Sequence, residues 1–514
     1  MNGAESLVRT FVDAGVEVCF ANPGTSEMHF VAALDKVSGI RCVLGLFEGV
    51  VTGAAEGYAR MSGKPGVTLL HLGPGLGNGI ANLHNARKAG SPIVNVVGEH
   101  ASWHIEHDAP LTADIEGLAR PVSHWVRTAR DAGSVAADGA AALAEASIAP
   151  GRVATLILPA NTAWEAAGSS ASVPPASPAP SVDAGRVETI AATLRSGEPV
   201  AILLGGACLR EESLEQASRI AAASGATLIC ETFKARFQRG AGRVAVQDLP
   251  YPVDAALEML APYRHVVTVG ARPPVAFFAY PDKPSALHAP DAELHALASD
   301  AEDGPGALTA LVAALGAGER EPERQPPELP PMPADGPLDK ASIADLIARH
   351  LPEQAIVVDE ALTVGRDFLA ATRGAPPHDW LEVCGGSIGG GLPLATGAAV
   401  ACPDRKVICL EGDGSGMYTV QALWTQARER LDVTTLVFAN RRYAILEHEL
   451  DNVQADSGEI ARRMLSLDDP PLDWVAMARG MGVEGVRASS VAELDEALSR
   501  GLSSDGPFLV EVCV

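Results

Sequence analysis

The sequence predicts an α/β protein built of three consecutive domains, each containing a parallel sheet. The chain of 514 residues is too long for one hydrophobic core, and a typical domain length of about 150 residues suggests three. Two segments rich in proline divide the chain, and between them short apolar runs alternate with helical patterns. This alternation is typical of parallel sheets that helices cover on both faces.

The two dividing segments are predicted to be extended linkers on the surface. Residues 168–185 consist mainly of Ser, Pro and Ala, and residues 318–337 are rich in Pro and charge. Neither segment can bury enough apolar surface to offset the entropy of ordering it. We therefore predict domains at 1–167, 186–317 and 338–514.

Each predicted domain contains several almost continuously apolar runs of strand length, which indicates strands buried on both faces of a sheet. Ligands of such sheets bind at the carboxyl ends of the strands, so we expect the functional residues there. The candidate strands are VEVCFANPG, IRCVLGLFE, GVTLLHLGPG, PIVNVVGE, VATLILPA, EPVAILLGG, ATLICETF, RHVVTVGARP, AIVVDEA, KVICLEGDG, TTLVFANRR and FLVEVCV.

Composition and charge exclude several classes of partner. The formal net charge of −25 argues against nucleic acid and against anionic membranes. The longest uncharged stretch, between Glu382 and Asp404, contains six glycines and Pro393 and is a poor membrane span.

The eight cysteines form no CxxC pair and lie mostly in apolar runs, which predicts reduced, buried thiols in a cytoplasmic protein. The N-terminal MNGAESLVRTFVDAG predicts an amphipathic helix and not a signal peptide.

The most informative stretch is CLEGDGSGMYTVQALWTQARERLDVTTLVFANRRY, which predicts a strand, a glycine turn, a helix and a second strand. Asp413 ends the first strand, and Asn440 ends the second, 27 residues later. Because consecutive parallel strands are usually neighbours, both side chains should enter one crevice. Their oxygens, with a backbone carbonyl, would supply half of an octahedral Mg²⁺ shell and leave positions for phosphate oxygens. Gly412, Gly414 and Gly416 would let phosphates approach the backbone closely.

This pattern resembles the diphosphate-binding motif of thiamine-diphosphate-dependent enzymes, in which GDG is followed by a helix and an Asn at the next strand end. The resemblance implies that Asp413, Asn440 and the carbonyl of Arg442 ligate Mg²⁺. This chain departs from the motif in having Ala439 and Arg441 on either side of the Asn. The resemblance also implies that other residues bind the diphosphate end and the middle of the cofactor. They are Thr363, Gly386, Ile388, Gly412, Gly414, Ser415, Tyr443 and Ala444.

Two of these residues lie in CGGSIGGGLPLATGA. By its position in the motif, Ile388 resembles the bulky residue that holds the two cofactor rings in a bent shape. The carbonyl of Gly386 would accept a hydrogen bond from the amino group of the pyrimidine ring. The same stretch is also a glycine-rich loop that leads into a core helix, which is compatible with that role.

One carboxylate, Glu48, lies inside the apolar run LGLFEGVVTG. Left unpaired there, its charge would cost several kcal/mol, on the order expected for a buried ion. In the family that the chain resembles, a glutamate in such a run is hydrogen-bonded to the aminopyrimidine ring and passes a proton that favours the imino tautomer. A plain alternative is a carboxylate at a helix start, because EGVVTGAAEGYARM has a helical pattern.

Two further residues are predicted to act on the substrate. His71 occupies the place of an active-site histidine of benzoylformate decarboxylases, whereas the adjacent GPGLGN resembles acetolactate synthases. The segment ANPGTSE resembles a loop that brings a hydroxyl group to the substrate, and Thr25 would carry it.

A second histidine that the benzoylformate pattern requires is missing from ARPPVAFFAYPDKP, where Phe277 and Phe278 predict an apolar pocket wall instead. Glu447 falls one residue after the place of a carboxylate in pyruvate decarboxylases, and Leu446 takes that place, so Glu447 is not assigned a role. The central part of the chain has no GxGxxG, and we expect the flavin (FAD) site of some family members to be absent or vestigial.

HASWHIEHD contains His100, His104 and His107, of which the first two share one helical face. A metal site is conceivable there, but no fourth ligand is evident. We expect a solvated or substrate-facing loop.

The resemblance spans the whole chain, as a pyrimidine-binding, a central and a diphosphate-binding domain. It implies a lyase or carboligase that requires Mg²⁺ and thiamine diphosphate. Such an enzyme decarboxylates a 2-oxo acid through a carbanion and enamine, then releases an aldehyde or joins a second carbonyl compound. It also implies a homodimer or dimer of dimers with active sites between subunits. An acetolactate-synthase-type carboligase acting on pyruvate remains open, as does a non-catalytic paralogue that serves as a subunit or regulator.

Overall fold

The computed structural model describes residues 1–514 and confirms an α/β architecture with three sheets. Two sheets are entirely parallel, and the third is parallel except for one edge strand. None of the helices combines the length and the apolar character that a bilayer crossing would need.

The first sheet has six parallel strands in the order β2-β1-β3-β4-β6-β5. Its strands are β1 Val18–Asn22, β2 Arg41–Leu44, β3 Gly66–Leu70, β4 Ile93–Glu99, β5 Trp125–Thr128 and β6 Val153–Pro159. The accompanying helices are α1 Gly3–Asp13, α2 Met28–Lys36, α3 Glu48–Ser62, α4 Leu72–Ala89, α5 Ile115–Ala119, α6 Val135–Ala146 and α7 Ala160–Trp164. The predicted N-terminal helix is therefore present, and Asn2 caps it by accepting the backbone N–H of Glu5.

The second sheet has five parallel strands in the order β10-β8-β7-β11-β12. Its strands are β7 Val200–Leu204, β8 Thr227–Cys230, β10 Gln247–Asp248, β11 His265–Val269 and β12 Glu293–Ala298, and its helices are α8 Ala184–Leu194, α9 Glu211–Ser224, α10 Val253–Leu260 and α11 Gly304–Leu315. Helix α8 begins inside the segment that the sequence marks as a linker, because Asp183 caps it.

The third sheet has seven strands in the order β17-β18-β16-β15-β13-β14-β9. Its parallel strands are β13 Ile356–Glu360, β14 His378–Glu382, β15 Val407–Gly412, β16 Val433–Ala439, β17 Glu484–Ala488 and β18 Phe508–Cys513. The helices around it are α12 Lys340–His350, α13 Phe368–Ala371, α14 Gly391–Ala401, α15 Asp413–Gly416, α16 Ala422–Glu429, α17 Ala444–Asn452, α18 Glu459–Leu465, α19 Trp474–Gly480 and α20 Val491–Ser503.

The antiparallel edge strand β9, Phe237–Arg239, comes from the middle of the chain and pairs with β14. Lys234, just before it, is 1% exposed and forms ion pairs with Asp248 at 3.3 Å and Glu382 at 3.2 Å. This buried charge network ties the middle of the chain to the third sheet. The division of the chain at its two proline-rich segments remains a proposal.

Helices α3 and α14 cross so closely that glycine is required at the contact. A Cβ atom on Gly57 would lie 2.0 Å from the carbonyl oxygen of Leu394, and one on Gly397 would lie 1.8 Å from that of Ala54. Because α3 begins with Glu48, this crossing places Glu48 beside the glycine-rich loop that leads into α14.

All eight cysteines are free, as the sequence predicts, and no thiol pair is present. The prediction that they are buried is wrong for Cys42, which is exposed. Cys42 lies on β2, an edge strand of the first sheet, where one face is not covered.

Candidate functional site

Asp413 and Asn440 lie together, as predicted, because β15 and β16 are neighbouring parallel strands. Asp413 follows the last residue of β15 and is 3% exposed. One of its carboxylate oxygens accepts the backbone N–H of Arg441 at 2.7 Å, and the other accepts that of Gly414 at 2.9 Å. The carbonyl oxygen of Arg442 accepts no hydrogen bond within the chain.

Burial raises the pKa of Asp413 to about 6, although the N–H groups of Arg441 and Gly414 oppose this shift. A divalent cation beside this carboxylate would favour its ionised form. The amide oxygen of Asn440 accepts the N–H of Arg442 at 3.1 Å, which holds it at the same turn. Carboxylate, amide and carbonyl oxygens are suitable ligands for Mg²⁺. The turn formed by Asp413, Asn440 and Arg442, called the diphosphate corner below, therefore fits a magnesium site.

The predicted glycines of this corner make room for an aromatic ring. Gly412 is the last residue of β15, and a Cβ atom on Gly414 would lie 2.5 Å from Cε1 of Tyr443. Tyr443 precedes Ala444, the first residue of α17. Glycine at 414 therefore allows the Tyr443 ring to cover the turn that holds Asp413.

Three non-glycine residues after strands of the first and third sheets adopt positive φ angles. Leu72 follows β3 with φ +49°, Leu362 follows β13 with +51°, and Arg441 follows β16 with +56°. Such conformations cost on the order of 1–3 kcal/mol each and are concentrated at functional sites. Thr363, next to Leu362, is half-buried in the same turn. The strained residues therefore lie at the same strand ends as the predicted site residues.

The glycine-rich loop before α14 is held by hydrogen bonds from α4. The side chain of Asn85 donates to the carbonyl of Ser387 at 2.8 Å and accepts its N–H at 3.1 Å. Ile388 is half-buried in this loop, and Gly386 is exposed with φ +69°. The loop conformation is therefore set by the first domain as well as by the third sheet.

Glu48 is the first residue of α3, as the helix-start alternative predicts, and it is 8% exposed. Its Oε2 atom accepts a hydrogen bond from Asn78 at 2.9 Å. Its Oε1 atom accepts none within the chain and faces Gly75, where a Cβ atom would lie only 3.2 Å away. A buried carboxylate therefore keeps one oxygen free for a ligand.

Asn82 connects the start of α3 to the glycine-rich loop. Its side-chain amide donates to the carbonyl of Gly49 at 2.8 Å and to that of Gly389 at 3.4 Å. Thr419 also donates to the Gly389 carbonyl, at 2.9 Å. The residues next to Glu48 and Ile388 thus share one hydrogen-bonded network.

His71 pairs with a residue that the sequence reasoning missed. Its Nδ1 atom lies 2.8 Å from a carboxylate oxygen of Glu27 and 3.4 Å from the hydroxyl of Ser26. A Cβ atom on Gly98 would lie 1.6 Å from Glu27, so that glycine makes room for the carboxylate. Thr25 is exposed and makes no hydrogen bond within the chain, which leaves its hydroxyl available to a substrate. The segment ANPGTSE contains Glu27, but only the folded chain shows its pairing with His71.

A pair of buried acids, Glu360 and Glu411, contacts the glycine-rich loop before α14 and the turn at Ser415. The sequence reasoning missed this pair as well. Glu360 accepts the N–H of Gly389 at 2.9 Å and that of Gly391 at 2.7 Å, one on each oxygen. Glu411 accepts the hydroxyl of Ser415, and the parallel register of β13 and β15 places it opposite Glu360. The predicted cofactor residue Ser415 therefore directs its hydroxyl toward Glu411.

The pKa of each acid is raised. Burial raises the pKa of Glu360 to about 7, and the N–H groups that it accepts oppose the shift. Burial and the adjacent Glu360 raise the pKa of Glu411 well above its usual range. Glu411 therefore binds a proton more readily than Glu360 does.

This arrangement predicts that the two acids respond differently to substitution. Glu411→Gln should keep cofactor affinity within about threefold, because an amide N–H can replace the O–H of the protonated Glu411 carboxyl. Glu360→Gln should weaken it by about tenfold or more, because one backbone N–H loses its acceptor at a cost on the order of 1–3 kcal/mol. Titration calorimetry with thiamine diphosphate measures both values. Equal losses in the two variants would contradict the assignment of the proton.

An aromatic cluster from the middle of the chain faces the glycine-rich loop. Phe277 packs against Phe233, Tyr251 and Phe278, with ring centroids 5.5, 5.7 and 4.8 Å away. A Cβ atom on Gly386 would lie 2.4 Å from the Phe277 ring. The predicted apolar wall thus lies next to the loop that carries Ile388.

A cleft of about 1050 Å³ lies between the first and second sheets, and Phe233, Phe277 and Gly385 line it, so it borders the aromatic cluster and the start of the glycine-rich loop. Gly206, Arg210 and Arg272 line it from the middle of the chain, and Lys88 and Arg152 line it from the first domain. Neither Glu48 nor Asp413 reaches it. The candidate site is therefore defined by Glu48 and Asp413 and not by the size of the cleft. The expected absence of a flavin site stays a prediction.

In the loop with three histidines, His104 and His107 are exposed and His100 is half-buried. His100 and His104 lie with ring centroids 5.2 Å apart, and His104 and His107 lie 5.8 Å apart. Their ligand atoms do not form a group of three within 4.8 Å of one another.

Two family profiles match the segments that carry these residues. Residues 1–118 match the N-terminal, and residues 366–512 the C-terminal, TPP-binding domain of thiamine pyrophosphate enzymes. The chain is 50% identical over 521 residues to the IlvX protein of Mycobacterium tuberculosis, provisionally named an acetolactate synthase large subunit, covering 100% of this chain and 99% of that protein. It belongs to the thiamine pyrophosphate enzyme family.

Other members of this family are also similar over almost their full length. The benzoylformate decarboxylase of Pseudomonas aeruginosa is 30% identical, covering 97% of this chain and 96% of that protein. The solved structure of a thiamine diphosphate-dependent 4-hydroxybenzoylformate decarboxylase from Rhodococcus jostii RHA1 has the same fold, with a TM-score of 0.86 at 24% identity, covering 100% of this chain and 99% of that one.

The residues present fit the cofactor of the thiamine pyrophosphate enzymes at both ends. At the diphosphate end, the buried Asp413 and the unpartnered carbonyl of Arg442 suit a cation. At the other end, Glu48 offers a free carboxylate oxygen beside Gly75. The loop with Ile388 lies against the helix that begins at Glu48.

Proposed function

We propose that this protein is a Mg²⁺- and thiamine-diphosphate-dependent lyase that decarboxylates a 2-oxo acid with an apolar or aromatic side chain. The observation that carries the proposal is the buried Glu48 with one free oxygen, in a chain that also retains Asp413. Asn82 links Gly49, next to Glu48, to Gly389, next to Ile388. The His71–Glu27 pair and the aromatic wall at Phe277 favour decarboxylation of an apolar substrate.

Asp413, Asn440 and the Arg442 carbonyl would hold Mg²⁺ and, through it, the diphosphate. Gly386 would accept a hydrogen bond from the cofactor amino group, and Glu48 would exchange a proton with the pyrimidine ring. When bound, the cofactor supplies a nucleophilic carbon and an electron sink for the electrons left by CO₂. The protein holds that carbon against the substrate and excludes water from it.

His71 would supply the proton that completes aldehyde release. Glu27 holds the ring through Nδ1, which leaves Nε2 without a hydrogen-bond partner in the chain. The exposed hydroxyl of Thr25 would orient the substrate carboxylate at the mouth.

We expect His71→Ala to lower kcat for aldehyde release by about 10²–10⁴-fold, the usual contribution of a general acid. Cofactor affinity should not change, because His71 contacts neither Asp413 nor Asn440. His29→Ala, at an exposed position of the same domain, is the matched control. A variant with full kcat would remove His71 from the mechanism.

The experiment that tests the function is CO₂ release by the purified protein with Mg²⁺ and thiamine diphosphate. Aliphatic, aromatic and charged 2-oxo acids are compared at equal concentration. Release that is fastest with an aromatic or bulky aliphatic acid supports the proposal. Bound cofactor without release from any acid contradicts it, and absence of cofactor binding would favour a non-catalytic subunit or regulator.

A second candidate, carboligation of pyruvate to an acetohydroxy acid, is favoured by the 50% identity to the relative named for acetolactate synthase. The two activities would use the same residues of the diphosphate corner. They differ in whether the two-carbon unit that remains after loss of CO₂ leaves as acetaldehyde or joins a second pyruvate. Measuring acetolactate and acetaldehyde from pyruvate in one reaction separates them. Acetolactate as the main product would establish this second candidate.

We also propose that two chains pair over the site. Leu46 and Met28, near Glu48 and His71, are 47% and 46% exposed, and Leu362 and Tyr418, near the diphosphate corner, are 42% and 54% exposed. Large apolar side chains on both sides of a site are expected to be covered by a partner. A fully active monomer in analytical ultracentrifugation would contradict this pairing.

A further inference from the structure

Far from the candidate site, three metal-capable side chains converge on one face of the second sheet. His265 begins β11, and Glu293 begins the edge strand β12. The parallel register pairs His265 with Glu293, and His295 lies two residues further along β12. Because side chains alternate along a strand, all three project from the same face.

The three ligand atoms face one another at distances suitable for a metal. His265 Nδ1 lies 3.1 Å from His295 Nε2 and 3.8 Å from Glu293 Oε2, and His295 Nε2 lies 3.9 Å from Glu293 Oε2. A point equidistant from these atoms lies about 2.1 Å from each, which matches Zn–N and Zn–O bonds of about 2.0–2.2 Å.

The surroundings hold the ligands in place. The second ring nitrogen of His265 lies 2.8 Å from a carboxylate oxygen of Glu198, the arrangement that commonly orients a metal-binding histidine. Arg264 contacts the other oxygen of Glu293 at 3.3 Å, which leaves Oε2 toward the histidines.

We propose that His265, Glu293 and His295 form a binding site for a divalent transition metal of the Zn²⁺ class. Two imidazoles and one carboxylate would supply three ligands, and water from the exposed side of Glu293 would complete the shell. The metal would join β12, an edge strand, to β11. This site is separate from the Mg²⁺ corner and does not depend on the proposed function.

The test uses full-length protein saturated with thiamine diphosphate and excess Mg²⁺, with thiols kept reduced, and Co²⁺ as the spectroscopic probe. We expect one equivalent of Co²⁺ to bind with visible d–d absorption, and Zn²⁺ to displace it. His265→Ala and His295→Ala should each abolish this absorption. Glu198→Gln should weaken binding by about 10–100-fold, the usual effect of losing a group that orients a ligand.

His104→Ala is the matched control, because it removes a histidine from the other histidine-rich segment. His295 is less buried than His265, so its variant serves if His265→Ala fails to fold. Zn²⁺ should also raise the melting temperature of the wild type but not of His295→Ala. No saturable binding by the wild type, or loss of binding in His104→Ala alone, would overturn the proposal.

Discussion

Glu48→Gln is expected to lower the rate of CO₂ release by about 10²–10⁴-fold, the usual contribution of acid–base catalysis. A glutamine keeps the size of the side chain and can still accept the hydrogen bond from Asn78. It cannot exchange a proton with the pyrimidine ring through its free oxygen. Because the diphosphate corner is untouched, binding of thiamine diphosphate should change by less than about tenfold.

The measurement is kcat for the best 2-oxo acid, together with cofactor affinity by titration calorimetry. Glu188→Gln is the matched control, because Glu188 is exposed and its side chain forms no ion pair or hydrogen bond within the chain. An active Glu48→Gln enzyme would remove the proton shuttle from the mechanism. Loss of cofactor and activity together would assign Glu48 a binding role instead.

Asp413→Ala is expected to abolish retention of thiamine diphosphate at micromolar concentrations, and with it all activity. The substitution removes a Mg²⁺ ligand and also the acceptor of the Arg441 and Gly414 N–H groups. The buried Gly414 donor would be left without a partner, at a cost on the order of 1–3 kcal/mol. Equilibrium dialysis with the cofactor and Mg²⁺ measures the loss.

Asp404→Ala is a suitable control, because Asp404 is exposed and lies before β15, at the opposite end from Asp413. It should bind the cofactor as the wild type does. Normal binding by Asp413→Ala would place the cation elsewhere and remove the basis for the diphosphate corner. Together, the Glu48 and Asp413 variants separate the chemical step from cofactor retention.

The alternation of apolar runs and helices was sufficient to predict the fold class, because parallel strands that are buried on both faces need apolar residues at almost every position. Strands with fewer apolar residues were not predicted. Strand β12 reads ELHALA, and it was missed because an edge strand has exposed positions that polar residues can occupy. The antiparallel strand β9 was missed because only its contact with β14 makes it a strand.

The sequence by itself determined that Asp413 and Asn440 meet, because two consecutive parallel strands bring their ends together whatever surrounds them. It also determined that Glu48 is buried, since its neighbours are apolar. Only the tertiary structure decided which residues complete these sites. Glu27 meets His71 across two strands, Glu360 meets Glu411 across the register of β13 and β15, and His265 meets His295 across β11 and β12. Such pairs join residues far apart in sequence, and the register and the crossing of elements, which depend on the packing of the whole core, bring them into contact.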